Sequence, residues 1–286
     1  MPKENNFQID FLGIAAPRSG TTWIAECLRE HPEICLSSPK ETYFFGTDKY
    51  EKFGLKWYQK HFHCKPNQIK GEYDAGYFLS EKAAKQIKKH FPEIKLIACL
   101  RNPAERAFSN YLSAQSSSKK TKGFLEIIKE NPQTLERGLY YKHLKKYFEL
   151  FPKENILINI YEDIEKKPKS FIKKIYRFLE VNENFIPKKI NQKSNISKKY
   201  RVPFIKKIAG KTIKKLENSN YGVNILNFFR KIGLKKCFLF FEKLNSKKFN
   251  QKPTISSEAK QYLKNYYLED IKNLEKLINR DLSHWK

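Results

Sequence analysis

Apolar residues gather in short unbroken runs along this chain, separated by longer stretches in which they recur every three to four positions. The first run, Phe7 to Ala16 (FQIDFLGIAA), becomes almost wholly apolar toward its end, as a strand covered on both faces does. A turn of small residues leads from it into TTWIAECLREH, where Trp23, Ile24, Cys27 and Leu28 recur at helical spacing until Pro32. This predicts strand, turn, helix. A short strand is expected at Ile34 to Leu36, and a longer buried one at Ile94 to Leu100. Asn102 is placed to cap the helix that Pro103 opens. The order continues with a helix over Arg137 to Phe151, a strand over Asn155 to Tyr161 and a helix over Pro168 to Leu179. A helix from Glu258 to Ile278 closes the chain, with Tyr262, Leu263, Tyr266, Tyr267, Leu274 and Ile278 as its stripe. Alternating buried strands and amphipathic helices predict an α/β fold: a doubly wound, mostly parallel sheet flanked by helices, with right-handed crossovers.

Composition sets the scale. A chain of 286 residues that is 40% hydrophobic and 14% aromatic excludes disorder and can bury a large core. We expect a single domain over 1–286, interrupted by a Lys-rich, partly helical insertion at about 186–252. No run of about 18 uncharged apolar residues predicts a transmembrane segment. The N-terminus lacks the charged-then-apolar pattern of a signal peptide. Cys27, Cys35, Cys64, Cys99 and Cys237 are odd in number and never spaced as CxxC, so they are expected as buried thiols in a reducing compartment. That reading places the protein in the cytoplasm.

The formal net charge of +27 changes the picture of the partner. Only nine of the 57 basic residues are Arg, whereas readers of base edges lean on the Arg fork. An anionic small ligand or an acidic polymer therefore fits better than nucleic acid. Between Ile186 and Lys252, 19 Lys and Arg face two acids, Glu217 and Glu242. Within that segment Val223 to Phe241 mixes Phe228, Phe229, Phe238, Phe240 and Phe241 with Arg230, Lys231, Lys235 and Lys236. Two readings stand: peripheral contact with a membrane surface, or a helical insertion packing its aromatics on the domain.

Two stretches carry chemistry. In Pro17-Arg18-Ser19-Gly20-Thr21-Thr22-Trp23, Gly20 allows close backbone approach, the helix start favours an anion, and Arg18 adds a permanent charge. Ser19, Thr21 and Thr22 add hydroxyl donors. This is an oxyanion cradle, without the Gly-Lys-Ser/Thr ending of a Walker A loop and without GxGxxG. In IKLIACLRNPAERAFSNY, residues 94–111, Arg101 stands where a parallel strand ends, the edge at which open α/β sheets bind ligands. Ser109 lies about two helical turns on, roughly 12 Å of rise, within reach of the same phosphate. The competing reading of Arg101 and Arg106 is a helix-start salt bridge with Glu105 or another acid. His61, His63 and Cys64 lack a partner cluster and make a poor tetrahedral site, so no metal is expected.

Taken together, these stretches resemble the sulfotransferases that use 3′-phosphoadenosine 5′-phosphosulfate (PAPS). The first matches their 5′-phosphosulfate loop, (K/R)-(S/T)-G-T-T-(W/A), and the second their 3′-phosphate motif, R-N-P-x-x-R-A-x-S-x-Y. Ser38-Pro39-Lys40-Glu41-Thr42-Tyr43-Phe44-Phe45 resembles the K-E-x-x-F-F segment of the heparan-sulfate-type enzymes. Gly71-Glu72-Tyr73-Asp74-Ala75-Gly76-Tyr77-Phe78 resembles their G-E-x-(S/T)-P-x-Y-(F/L) segment. Arg137-Gly138-Leu139-Tyr140, Tyr161-Glu162-Asp163 and Arg280-Asp281-Leu282-Ser283-His284-Trp285 are similar to the bacterial members. The resemblance covers nearly the whole chain and thins between about Pro203 and Gln251.

The resemblance implies a P-loop-like phosphosulfate loop after strand 1, in which Arg18, Ser19, Gly20, Thr21 and Thr22 hold the 5′-phosphosulfate and Trp23 packs near the adenine. Arg101 and Ser109 would hold the 3′-phosphate, joined by a late basic loop around Ser197 and Arg201. Glu41 would be the catalytic base, with Glu72 in reserve, and Lys40, Glu72 and Asp74 would meet the acceptor. The co-substrate would be PAPS, the product adenosine 3′,5′-bisphosphate, and the acceptor a hydroxyl or amine, expected on a carbohydrate and anionic. Two departures stand out. Arg18 occupies a position often held by Lys; it can stabilise charge on the bridging oxygen, alongside Glu41 in the catalytic set, but donates no proton. Tyr73, Asp74 and Ala75 replace a Lys or Ser followed by Pro. The alternatives are a nucleotide-dependent kinase of P-loop-like fold and a non-catalytic binder of acidic polymer.

Overall fold

The buried runs become strands because their successive residues feed two different cores. In β1 (Phe11–Gly13) and β4 (Lys95–Leu100), Leu12, Leu96, Ala98 and Leu100 join one apolar cluster, while Phe11, Ile97 and Cys99 join another. Side chains alternate across a strand, so a strand apolar at every position needs cover on both faces. In this computed structural model, which describes residues 7–115, 122–192, 198–200, 246–248 and 253–286, the cover is helical on both sides. β1, β2 (Ile34–Leu36), β3 (Ile69–Tyr73), β4 and β5 (Ile156–Ile160) form a parallel sheet in the order β2-β3-β1-β4-β5. Helices α1 (Thr21–Glu30) and α8 (Pro168–Phe178) supply Trp23, Ile24, Leu28, Phe171, Ile172 and Ile175 to one face. On the other, α2 (Asp48–Gln59), α3 (Glu81–His90), α6 (Tyr140–Leu150) and α9 (Ser257–Ile278) supply Tyr58, Ile87, Tyr147, Leu263 and Tyr267. Each Leu- or Phe-sized side chain so buried contributes about 1.5–3 kcal/mol.

The topology also places the ligand edge. The chain leaves β1 for the far edge at β2, returns through β3, and then crosses to β4 on the other side of β1. Strand order reverses between β1 and β4, and the loops leaving their carboxyl ends flank a crevice there. β4 runs into α4 (Pro103–Gln115), with Asn102 Oδ1 accepting from the Ala104 and Glu105 amides at 3.0 and 3.2 Å. Among the described residues the remaining α-helices are α5 (Phe124–Glu130) and α7 (Tyr161–Lys166).

The expected doubly wound order is what forms, with three differences. The first strand has three residues of the ten-residue apolar run. Helix α6 begins at Tyr140, because Glu136–Gly138 is a 3-10 turn. Gly138 sits so close to Tyr267 that a Cβ there would lie 2.8 Å from its ring. Finally, Cys35 and Cys64 are not thiols: their Cα atoms stand 5.4 Å apart and the pair is a disulfide. The same two segments are tied by the Ser38 amide donating to the His61 carbonyl at 2.8 Å. Cys27 and Cys99 are buried thiols as expected, but cysteine usage as a whole no longer points to a reducing compartment.

Ser197, Arg201 and the aromatic stretch Val223 to Phe241 lie outside the described residues. Of the Lys-rich segment, β6 (Lys198–Tyr200) and β7 (Ser246–Lys248) are described and pair antiparallel. Among the described residues, no helix is long and apolar enough to cross a membrane.

Candidate active site

The turn after β1 is built for an anion. Arg18 and Gly20 both adopt left-handed backbone, with φ of 74° and 79°. Gly20 has a second reason to lack a side chain: a Cβ there would come within 2.9 Å of Tyr161 and Ile164. As N-cap of α1 it contributes no side-chain cap, and the first turn holds no acid. The opening amides of α1 thus stand without a side-chain cap from Gly20 at the positive end of the helix dipole, where an anion is favoured. Ser19 is fully buried and its hydroxyl has no hydrogen-bond partner among the described residues. Thr21 is buried and Thr22 half-buried beside it.

The two phosphate stretches meet. Arg18 Nε donates to Ser109 Oγ at 3.3 Å, and Arg101 Nη1 reaches the Arg18 carbonyl at 3.5 Å. Burial, and then the charge of Arg101, hold the Arg18 guanidinium below its ordinary pKa. Among the described residues no carboxylate forms a salt bridge with Arg18. Arg18, with no carboxylate of its own and a second cation beside it, fits a polyanion between the two. Arg101 does make the expected contact with Glu105, at 3.4 Å, and its guanidinium lies 4.7 Å from the Tyr161 ring centroid. The loop bearing it is pinned by the Asn102 amide donating to Glu162 Oε1 at 2.9 Å, and by Tyr140 donating to the Arg101 carbonyl at 2.8 Å.

Trp23 lies largely within the core. Its ring packs edge-on against Phe171 at 5.9 Å and keeps 5% of its surface, because position 23 falls on the core side of α1.

Glu41 arrives by a different route. The segment after β2 crosses the carboxyl end of β3, whose neighbour is β1. There Glu72 Oε1 accepts the Thr42 amide at 2.6 Å and Asp74 Oδ2 accepts the Tyr43 amide at 2.8 Å. Thus anchored, Glu41 keeps a quarter of its side chain exposed. Lys40 Nζ donates to its Oε1, and the Tyr43 hydroxyl to its Oε2, each at 2.5 Å.

Glu72 and Asp74 are not positioned to meet an acceptor. Both are fully buried. Glu72 Oε2 is further occupied by the hydroxyls of Tyr58 and Tyr77, at 2.7 and 2.9 Å. Burial pushes both carboxyl groups above the ordinary range, and for Asp74 the charge of Glu72 adds to it. The expectation of a reserve base and of acceptor contacts at these positions gives way to a supporting one. The absence of a cleft-facing surface is the reason. Cys64 is consumed by its disulfide, and His61 Nδ1 faces the Trp57 and Tyr58 carbonyls at 3.1 and 3.2 Å.

Comparison with known proteins gives the same family from outside. A family model described as a sulfotransferase domain matches residues 8–275. A heparan sulfate glucosamine 3-O-sulfotransferase 5 of Mus musculus is 29% identical over 192 residues, covering 63% of this chain and 54% of that protein. A bifunctional heparan sulfate N-deacetylase/N-sulfotransferase 1 of Caenorhabditis elegans is 28% identical over 191 residues, covering 61% of this chain and 22% of that one. The chain thus spans about half or less of these relatives' length. A solved sulfotransferase from Alicyclobacillus acidocaldarius shares the fold, with a TM-score of 0.68 over 98% of this chain and 99% of that one at 19% identity. With a fold of that architecture, Arg18 and Arg101 meeting at its switch point and a family match over nearly its whole length, the chain belongs to the sulfotransferase-domain family.

Proposed function

We propose that this protein transfers a sulfuryl group from PAPS to a hydroxyl or amine of a carbohydrate acceptor. The observation that carries the reading is the junction of Arg18, Ser109 and Arg101, which puts the two phosphate stretches within hydrogen-bonding distance of each other. Arg18 and the opening amides of α1 would hold the 5′-phosphosulfate, and Arg101 and Ser109 the 3′-phosphate. In the reaction the acceptor oxygen or nitrogen bonds to sulfur as the S–O bond to phosphate breaks. The acceptor's proton passes to Glu41 and adenosine 3′,5′-bisphosphate leaves. Arg18 stabilises negative charge growing on that leaving phosphate. The carbohydrate class is supported by the Lys40-Glu41 segment and by the names of the relatives; an anionic glycan suits the net charge of +27. A kinase reading is disfavoured, since ATP lacks the 3′-phosphate.

Nucleotide selectivity tests it. Adenosine 3′,5′-bisphosphate should bind well above AMP. A charge-assisted hydrogen bond contributes about 1.5–3 kcal/mol, so Arg101→Ala should weaken the bisphosphate tenfold or more and leave AMP nearly unchanged. Titration calorimetry showing equal affinity for the two nucleotides in the wild-type protein would overturn the assignment. Labelled PAPS incubated with a panel of glycans, lipids and phenols, read by mass spectrometry, then identifies the acceptor.

A further inference from the structure

Tyr43 combines three features that packing alone does not require. Its backbone is left-handed, φ 52°, although it carries a bulky side chain. The residue is 46% exposed, and only Ile186 shares that standing as an exposed large hydrophobic residue among those described. Its hydroxyl donates to Glu41 Oε2. Sparsely populated backbone persists where the surroundings over-determine it, and such strain gathers at working sites.

The surroundings here are specific. Asp74 Oδ2 takes the Tyr43 amide, Thr47 Oγ1 donates to the Tyr43 carbonyl at 2.7 Å, and Glu72 Oε1 takes the preceding Thr42 amide. Two adjacent carboxylates, unfavourable to bury, thus present one aromatic ring to solvent beside the candidate base. Lys49 Nζ lies over the ring, 6.0 Å from its centroid, and donates to the Thr42 carbonyl at 2.9 Å, which puts positive charge beside the ring.

We propose that Tyr43 is an acceptor subsite for an anionic sugar. The ring is the platform on which the apolar C–H face of a pyranose stacks, an aromatic body with a polar tip suiting such a ligand. The hydroxyl fixes the Glu41 carboxylate so that its remaining lone pairs meet the acceptor's proton, and Lys49 supplies the nearby positive charge for a sugar carboxylate or sulfate. The proposal rests on the sulfotransferase reading and on Glu41 as base.

The probe is a tetrasaccharide of alternating glucuronic acid and glucosamine, in N-acetyl and free-amine forms, with adenosine 3′,5′-bisphosphate present. Wild type and Tyr43→Phe should show saturation transfer from protein to sugar by NMR, and Tyr43→Ala should lose it. With PAPS and the same sugar, Tyr43→Phe should lower kcat about tenfold at nearly constant KM, the loss of one hydrogen bond to a charged group. Tyr43→Ala should also raise KM about tenfold, the platform being gone. A merely structural role would move stability and nucleotide affinity instead, and both should match wild type in Tyr43→Phe. The proposal is overturned if Tyr43→Ala keeps wild-type saturation transfer and KM. It is overturned equally if wild type shows no transfer to either sugar. Calorimetry of the bisphosphate then tells whether the sulfotransferase reading fails with it or stands without it.

Discussion

Glu41→Gln should turn over about 10²–10⁴-fold more slowly than wild type while binding adenosine 3′,5′-bisphosphate normally. Glutamine keeps the size of the side chain and can still accept from Lys40 or Tyr43, the two donors that fix the carboxylate. What it cannot do is take a proton. The segment carrying it is anchored through Thr42 and Tyr43 to buried carboxylates on and just after β3, not through Glu41 itself, so the substitution leaves the anchors intact. Single-turnover kinetics with labelled PAPS, beside calorimetry of the bisphosphate, separate chemistry from binding. Turnover within a fewfold of wild type would move the base elsewhere. Glu72 is not available to inherit the role, since it has no exposed surface and three hydrogen-bond donors already occupy it.

Much of this arrangement is legible in the amino-acid order. The phosphate turn and the Asn102-Pro103 helix start are local events, governed by residues a few positions apart, and both form where their spacing predicts. β1 and β4 announce themselves because both faces are covered, which writes an apolar residue at nearly every position. β3 is harder. Its IKGEY carries a Lys, a Gly and a Glu, and its burial begins only at Gly71. The pattern there hides a strand, since Glu72 is satisfied by Tyr58 on α2 and by Tyr77 beyond the sheet, partners no local window contains. The orientation of Trp23 is lost for a related reason. Motif position says that it follows the phosphate turn, but only the packing of α8 decides that it faces Phe171. The Cys35–Cys64 disulfide likewise depends on α2 returning the chain beside β2.

The buried pair beneath the site yields a second large effect, on stability rather than turnover. Glu72→Ala removes the acceptor for the Thr42 amide and the Tyr58 hydroxyl, both buried. Tyr77 is less affected, because its hydroxyl also pairs with Thr42 Oγ1 and accepts the Phe44 amide. Each orphaned buried donor costs about 1–3 kcal/mol, so a loss of about 2–6 kcal/mol is expected, large against the stability of a typical domain. Glu72→Gln retains an acceptor for Thr42 and the side-chain volume, so it should lose far less and keep turnover within a fewfold. The pH dependence discriminates further. Burial raises the folded-state pKa of Glu72 above its unfolded value, so folding favours the protonated form relative to the unfolded chain. The stability this contributes is fully present below the unfolded pKa and is lost as pH rises through the folded one. Glu72→Gln does not titrate, so the advantage of wild type over it, read as Tm by scanning calorimetry, should shrink as pH is raised from 4 to 8. A gap that widens with pH would mean that the ionised carboxylate is the stabilising form. A Glu72→Gln variant with native Tm and no turnover would return Glu72 to the chemistry and leave Glu41 as the residue that merely faces the cleft.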